Sequence, residues 1–90
     1  MNTYESDKRK VVDCLFEALT REGKVGLVLK QIQVRTGLPR ERTRLALRDL
    51  ERDNVVASSA VADGSARENR IFVLREGLEL MINHYKKKRR

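Results

Sequence analysis

The sequence predicts an α+β domain whose elements run helix, short strand, helix, helix, β-hairpin, helix, and three observations carry that expectation. Apolar residues recur at three- and four-residue steps from Thr3 to Glu22 and again from Arg40 to Asp53. A Gly-Leu-Pro break at 37–39 separates two helical stretches. Two strand-like runs flank Ala62-Asp63-Gly64-Ser65, whose Asp-Gly pair is hairpin-turn chemistry.

In the first helix Val11, Val12, Leu15, Phe16, Ala18 and Leu19 form the apolar side, with charged residues between them. Thr3 or Ser6 suits its N-cap, Glu5 and Asp7 suit the positive end of its dipole, and Gly23 is placed to end it. Lys24 to Val28 contains Gly26 and two valines and reads as a connector or a strand of two to three residues. A second short helix is expected over Leu29 to Thr36, stopped by Gly37 in the left-handed conformation. Pro39 forbids a continuous helix, so the third starts near Arg40 and runs to Asp53, with Thr43, Ala46, Leu47 and Leu50 on its inner face. Asn54 tolerates the left-handed turn that closes it. Val55 to Val61 and Ile71 to Leu74 are the hairpin strands, and Glu76 to about Lys87 is a last helix with Leu78, Met81, Ile82 and Tyr85 on one side.

Ninety residues suffice for one core, so 1–90 are expected to form a single domain, with 86–90 as a basic tail. An apolar fraction of 40% with only four aromatic residues suits a small core of Val, Leu and Ile. The formal charge is +7, but Lys86 to Arg90 supply five of those charges and the other 85 residues carry only +2. The tail therefore supports a nucleic-acid reading without establishing it. No stretch reaches the ~18 apolar residues of a bilayer span, and the amino terminus lacks a basic-then-apolar signal pattern. A soluble, cytoplasmic and nucleoid-associated protein is the expectation. Cys14 is the single cysteine and His84 the single histidine, which excludes an intramolecular disulfide and a tetrahedral zinc site. The chain has no Gly-rich phosphate loop, no paired catalytic carboxylates and no Ser/His/Asp arrangement. Neither an enzyme, a cofactor, a metal nor a small-molecule effector is expected.

Two helices joined by a short Gly-containing turn describe a helix-turn-helix, whose second helix is the candidate for the major groove. The run Ile32, Thr36-Gly37-Leu38-Pro39-Arg40, Ala46-Leu47-Arg48-Asp49-Leu50-Glu51-Arg52-Asp53-Asn54-Val55-Val56 resembles the helix-turn-helix of the small bacterial and archaeal winged-helix transcription regulators. Phe72, Leu74 and Arg75-Glu76-Gly77 resemble the end of their wing and the start of a last helix. Two positions differ: Thr43 stands where the family usually has an aliphatic residue, and Asn54 where it usually has Gly. The resemblance implies a winged helix-turn-helix with a three-helix core, a β-hairpin wing and a C-terminal helix. It implies a regulator that binds double-stranded DNA in a sequence-specific way.

With its apolar side turned inward, the third helix points Glu41, Arg42, Leu45, Arg48, Asp49 and Arg52 outward, with Arg40 and Arg44 at one flank. Arginine offers a planar donor fork that fits phosphates and the O6/N7 edge of guanine. The expected DNA contacts are accordingly Arg40, Arg42, Arg44, Leu45 and Arg48 on this helix, with Arg67 and Arg70 on the wing over 62–70. Leu45 is apolar in the middle of an exposed face, which suits a thymine methyl group or a protein partner.

The same charges also fit two other classes. Glu41, Asp49, Glu51 and Asp53 nearly balance the five arginines of the third helix, as on any solvated helix surface. A winged helix can dock a protein through such a face. A non-specific nucleoid-type protein would instead rely on the tail. Affinity for DNA that falls steeply with salt separates the first class from the second. Assembly is expected as a homodimer through the first and last helices, because the last helix carries Leu80 apart from its main apolar stripe.

Overall fold

The computed structural model describes residues 3–60 and 70–76. Its elements are α1 (Thr3–Glu22), β1 (Gly26–Val28), α2 (Leu29–Thr36), α3 (Arg40–Arg52), β2 (Val56–Ala60) and β3 (Arg70–Leu74). The expected hairpin tip at 62–65, Arg67 and the last helix beyond Glu76 lie outside the described residues.

Each helix ends where local chemistry ends it. Gly37 adopts φ 74° after α2, and its N–H donates to Gln33 O at 2.8 Å. The Thr36 hydroxyl donates to Ile32 O at 2.7 Å and accepts the Leu38 N–H at 3.3 Å, which holds buried Leu38 into the turn. Pro39, with φ −63°, then leads into α3. At the far end of α3, Asn54 takes φ 63°. The Asn54 N–H donates to Glu51 O at 3.1 Å and the Val55 N–H to Leu50 O at 2.9 Å, the paired bonds of a Schellman ending. The asparagine thus serves where a glycine is more usual.

The three strands form one antiparallel sheet in the order β1-β3-β2. Val56 faces Leu74, Ser58 faces Phe72 and Ala60 faces Arg70, while Leu27 of β1 also faces Phe72. Because side chains alternate along a strand, Leu27, Val56, Phe72 and Leu74 share the inner side of the sheet. There they meet Val11, Leu15 and Ala18 of α1, Ile32 of α2, and Ala46, Leu47 and Leu50 of α3 in one core. Thr43 is 0% exposed, and its hydroxyl donates to Pro39 O at 2.9 Å, so a polar residue is accommodated in the core without an unmet hydrogen bond.

The expectations for α1, α2 and α3 agree with these bounds to within a residue, the stretch Lys24 to Val28, open between connector and strand, is a strand over Gly26–Val28, and the hairpin strands agree to within a residue over the described positions. No helix of the described residues is long and apolar enough to cross a membrane.

Candidate nucleic-acid interface

The three-residue turn at 37–39 sets α3 across the front of the domain, with Thr43, Ala46, Leu47 and Leu50 buried as the helical projection requires. Its remaining surface is crowded with charge. Alongside it lies an open groove of ≈ 420 Å³ between α3 and β3. Buried Leu29, Leu47 and Phe72 form its floor. Arg44, Leu45 and Arg48 come to it from α3, and Arg70 comes from the wing strand. Glu41 and Glu51 also line it, leaving three guanidinium groups against two carboxylates.

Four of the seven residues expected to touch DNA therefore converge on one groove. Leu45 is 47% exposed beside the arginines, an apolar lip on a basic groove. Arg44 is near Glu41 at 3.7 Å, and Arg52 pairs with Asp49 at 3.1 Å, both one turn apart. Such exposed pairs are worth little and exchange readily for a phosphate. Arg40 is exposed at the first position of α3. Arg67 lies outside the described residues.

Arg42 is exposed, as the single-helix projection expects, but its guanidinium is paired with a carboxylate of α1. Its Nε donates to Asp7 Oδ2 at 2.8 Å and its Nη2 to Asp7 Oδ1 at 2.6 Å. Asp7 lies in the first turns of α1 and is only 3% exposed, so the pair fastens α1 to the start of α3. The two hydrogen bonds from Arg42 hold the Asp7 carboxyl below its ordinary range against the opposing effect of burial, with help from the charges of Arg42 and Lys10. The Arg42 guanidinium is raised in turn, chiefly by the hydrogen bonds to Asp7. A projection treats one helix at a time, and the residue that claims Arg42 is 35 positions away.

A second cross-link was not legible in the sequence. The Ser58 hydroxyl on β2 donates to Glu51 Oε2 on α3 at 3.0 Å. It accepts from Arg70 Nε on β3 at 3.3 Å. In the sequence Glu51 stands within the helix-turn-helix run and as a balancing charge, with no sign of a partner on a strand, and Ser58 carries no signal by itself. The β2–β3 register brings Ser58 to Arg70, and the packing of α3 against β2 brings it to Glu51.

Arg35 of α2 grips Glu22 at the end of α1 with two hydrogen bonds of 2.5 and 2.7 Å, which lowers the Glu22 carboxyl. Cys14 lies nearby, and burial pushes its thiol up. Among the described residues no group of three or more His, Cys, Asp or Glu is placed to hold a metal ion.

Among the described residues, three helices around a small antiparallel sheet, with a helix-turn-helix in front and the wing strands beside it, make this a winged helix-turn-helix domain. One solved structure that it resembles is the Zalpha domain from Carassius auratus PKZ in complex with Z-DNA, at TM-score 0.57 and 19% identity. The match covers 81% of this chain and 98% of that one. No family model and no curated protein sequence matches the chain.

Proposed function

We propose that the domain is a non-catalytic, sequence-specific binder of double-stranded DNA acting in transcription regulation, of the bacterial and archaeal type that its helix-turn-helix resembles. The observation that carries this reading is the groove in which Arg44, Leu45 and Arg48 of α3 meet Arg70 of the wing strand. The helix presents guanidinium forks and one apolar side chain to base edges, and the strand presents a further cation to the backbone. That the similar Zalpha domain was solved with Z-DNA supports a DNA partner. The tail Lys86 to Arg90 adds sequence-independent attraction. A cytoplasmic, nucleoid-associated location fits this role, as does a homodimer through α1 and the segment beyond Glu76. Such a dimer would set two recognition helices about one DNA turn apart.

The same complex favours a second reading, in which the groove recognises duplex conformation more than sequence. A selection from a random duplex library, followed by titration of the winners against an alternating dC–dG duplex held in the left-handed form, separates the two. Binding that loses affinity steeply with salt is expected, and no salt dependence would sink a DNA role in either form. Arg44→Ala and Arg48→Ala should each weaken the selected site roughly fivefold to a hundredfold, the range of one lost arginine–base contact. Their melting temperatures should not move, since both side chains lie outside the core. Full affinity in the folded double variant would refute the assignment of α3.

A further inference from the structure

We infer that Ser58, backed by Glu51, is a positioning residue that sets the Arg70 guanidinium over the groove, so that the wing strand and α3 act on DNA as one unit. The inference rests on the DNA-binding reading of that groove and adds to it a residue that touches no nucleic acid.

Arg70 precedes Phe72 by two positions on β3 and therefore lies on the inner side of the sheet, toward α3. Its Cα partner across the ladder is Ala60, too small to restrain a long side chain. The support comes from the diagonal neighbour. Ser58, opposite Phe72, accepts the Arg70 Nε–H at 3.3 Å. Its own hydrogen goes to Glu51 Oε2 at 3.0 Å, which orients the hydroxyl with its lone pairs toward Arg70. The chain of bonds runs from α3 through β2 to β3.

The interposed hydroxyl has a chemical consequence. A direct pair between Arg70 and Glu51 would neutralise the cation that the groove needs. A serine between them restrains the side chain through its single Nε–H and leaves the guanidinium's outer edge, the part that forks onto a phosphate, unbonded to the carboxylate. Arginine loses much rotamer freedom when it is held, and a side chain already held in the free protein loses less on binding.

The test is a double-mutant cycle on the intact chain, with binding to the selected duplex followed by fluorescence anisotropy across a salt series. Ser58→Ala should weaken binding roughly fivefold, the size of one ordinary hydrogen bond. Arg70→Ala should weaken it at least as much and lower the salt slope by roughly one. The double variant should bind no worse than Arg70→Ala alone, and Ser58→Thr, which keeps the hydroxyl, should restore affinity. Two results overturn the inference: Ser58→Ala binding like the wild type, or effects of Ser58→Ala and Arg70→Ala that multiply. An independent readout needs no DNA. The Arg70 Nε–H, followed by nuclear magnetic resonance in the free protein, should exchange more slowly in the wild type than in Ser58→Ala, and equal exchange would overturn the bond itself. A wild-type protein that bound no duplex would refute the DNA reading and with it the role given to Ser58, while the exchange measurement would still report on the bond.

Discussion

A carboxylate as buried as Asp7 destabilises a fold unless its charge is met, and Arg42 meets it with both branches of its fork. The pair joins the first turns of α1 to the first turn of α3, so it fixes the end of the helix that leads into the proposed groove. Arg42→Ala should accordingly lower the melting temperature by several degrees and weaken DNA binding less, at a temperature where the variant is folded, than Arg44→Ala or Arg48→Ala. The pair also makes stability depend on pH. The Asp7 carboxyl is lowered in the folded state, so its contribution is fully present above the ordinary carboxylate value of about 3.9 and is lost as the pH falls through the lowered one. Glu22, lowered by the hydrogen bonds from Arg35, acts in the same direction. Thermal unfolding followed from pH 6 to pH 2 should therefore show a steeper acid loss in the wild type than in Asp7→Asn. Parallel curves would mean that the pair contributes nothing to the fold.

Among the elements, the helices were legible because their signals are local. Gly37 and Pro39 mark the turn, and the three- and four-residue spacing of Ala46, Leu47 and Leu50 marks the inner side of α3. The short first strand was harder to see, since Lys24 to Val28 reads equally as a connector. What makes Gly26–Val28 a strand is its partner β3, 45 or so positions on in the sequence, which no local pattern reveals. Gly26 shows how close that partnership is. A Cβ built there would collide with Ile71 Cγ2, and would stand 2.7 Å from Val73 Cγ1 and 3.1 Å from the Phe72 carbonyl oxygen. Both colliding side chains lie on the outer side of the sheet and lean over the space that the glycine leaves. Gly26→Ala should thus destabilise by about 1–3 kcal/mol, as overpacking typically does, which for a domain of this size is a fall of roughly 4–24 °C in melting temperature. Because Ile71 is the first obstacle, Gly26→Ala combined with Ile71→Ala should lose less than the two single effects added together. Strict additivity in calorimetry would show that the side chains of β3 do not define the space at Gly26.

At the scale of the whole molecule, the residues of the proposed interface were more legible than the contacts that organise them. Arg44, Leu45, Arg48 and Arg70 can be picked out by type and helical or strand position, whereas the bonds of Arg42 to Asp7 and of Ser58 to Glu51 and Arg70 exist only once distant segments are folded together. The same limit applies to assembly. On α1, Val11, Leu15 and Ala18 are consumed by the core, but Phe16 remains 53% exposed. Leu19, three positions after it, and Val12, four before it and partly packed against the core, are half-buried on the same side, so the three form an apolar strip beside the core stripe. The strip belongs to the helix proposed to meet a second copy, together with the apolar side chains Leu78, Leu80, Met81, Ile82 and Tyr85 of the sequence beyond Glu76. A two-fold contact would bury Phe16 against the partner's equivalent surface, and an isologous interface doubles the effect of any single substitution. Sedimentation equilibrium at micromolar concentrations should therefore give a wild-type mass that rises toward twice 10.4 kDa with concentration. Phe16→Glu sets a charge into both halves of the contact at once and should hold the mass near 10.4 kDa, with the helical circular dichroism unchanged because the side chain lies outside the core. A wild-type mass of 10.4 kDa at every concentration would sink the dimer, and a Phe16→Glu variant that still doubled its mass would move the contact off α1.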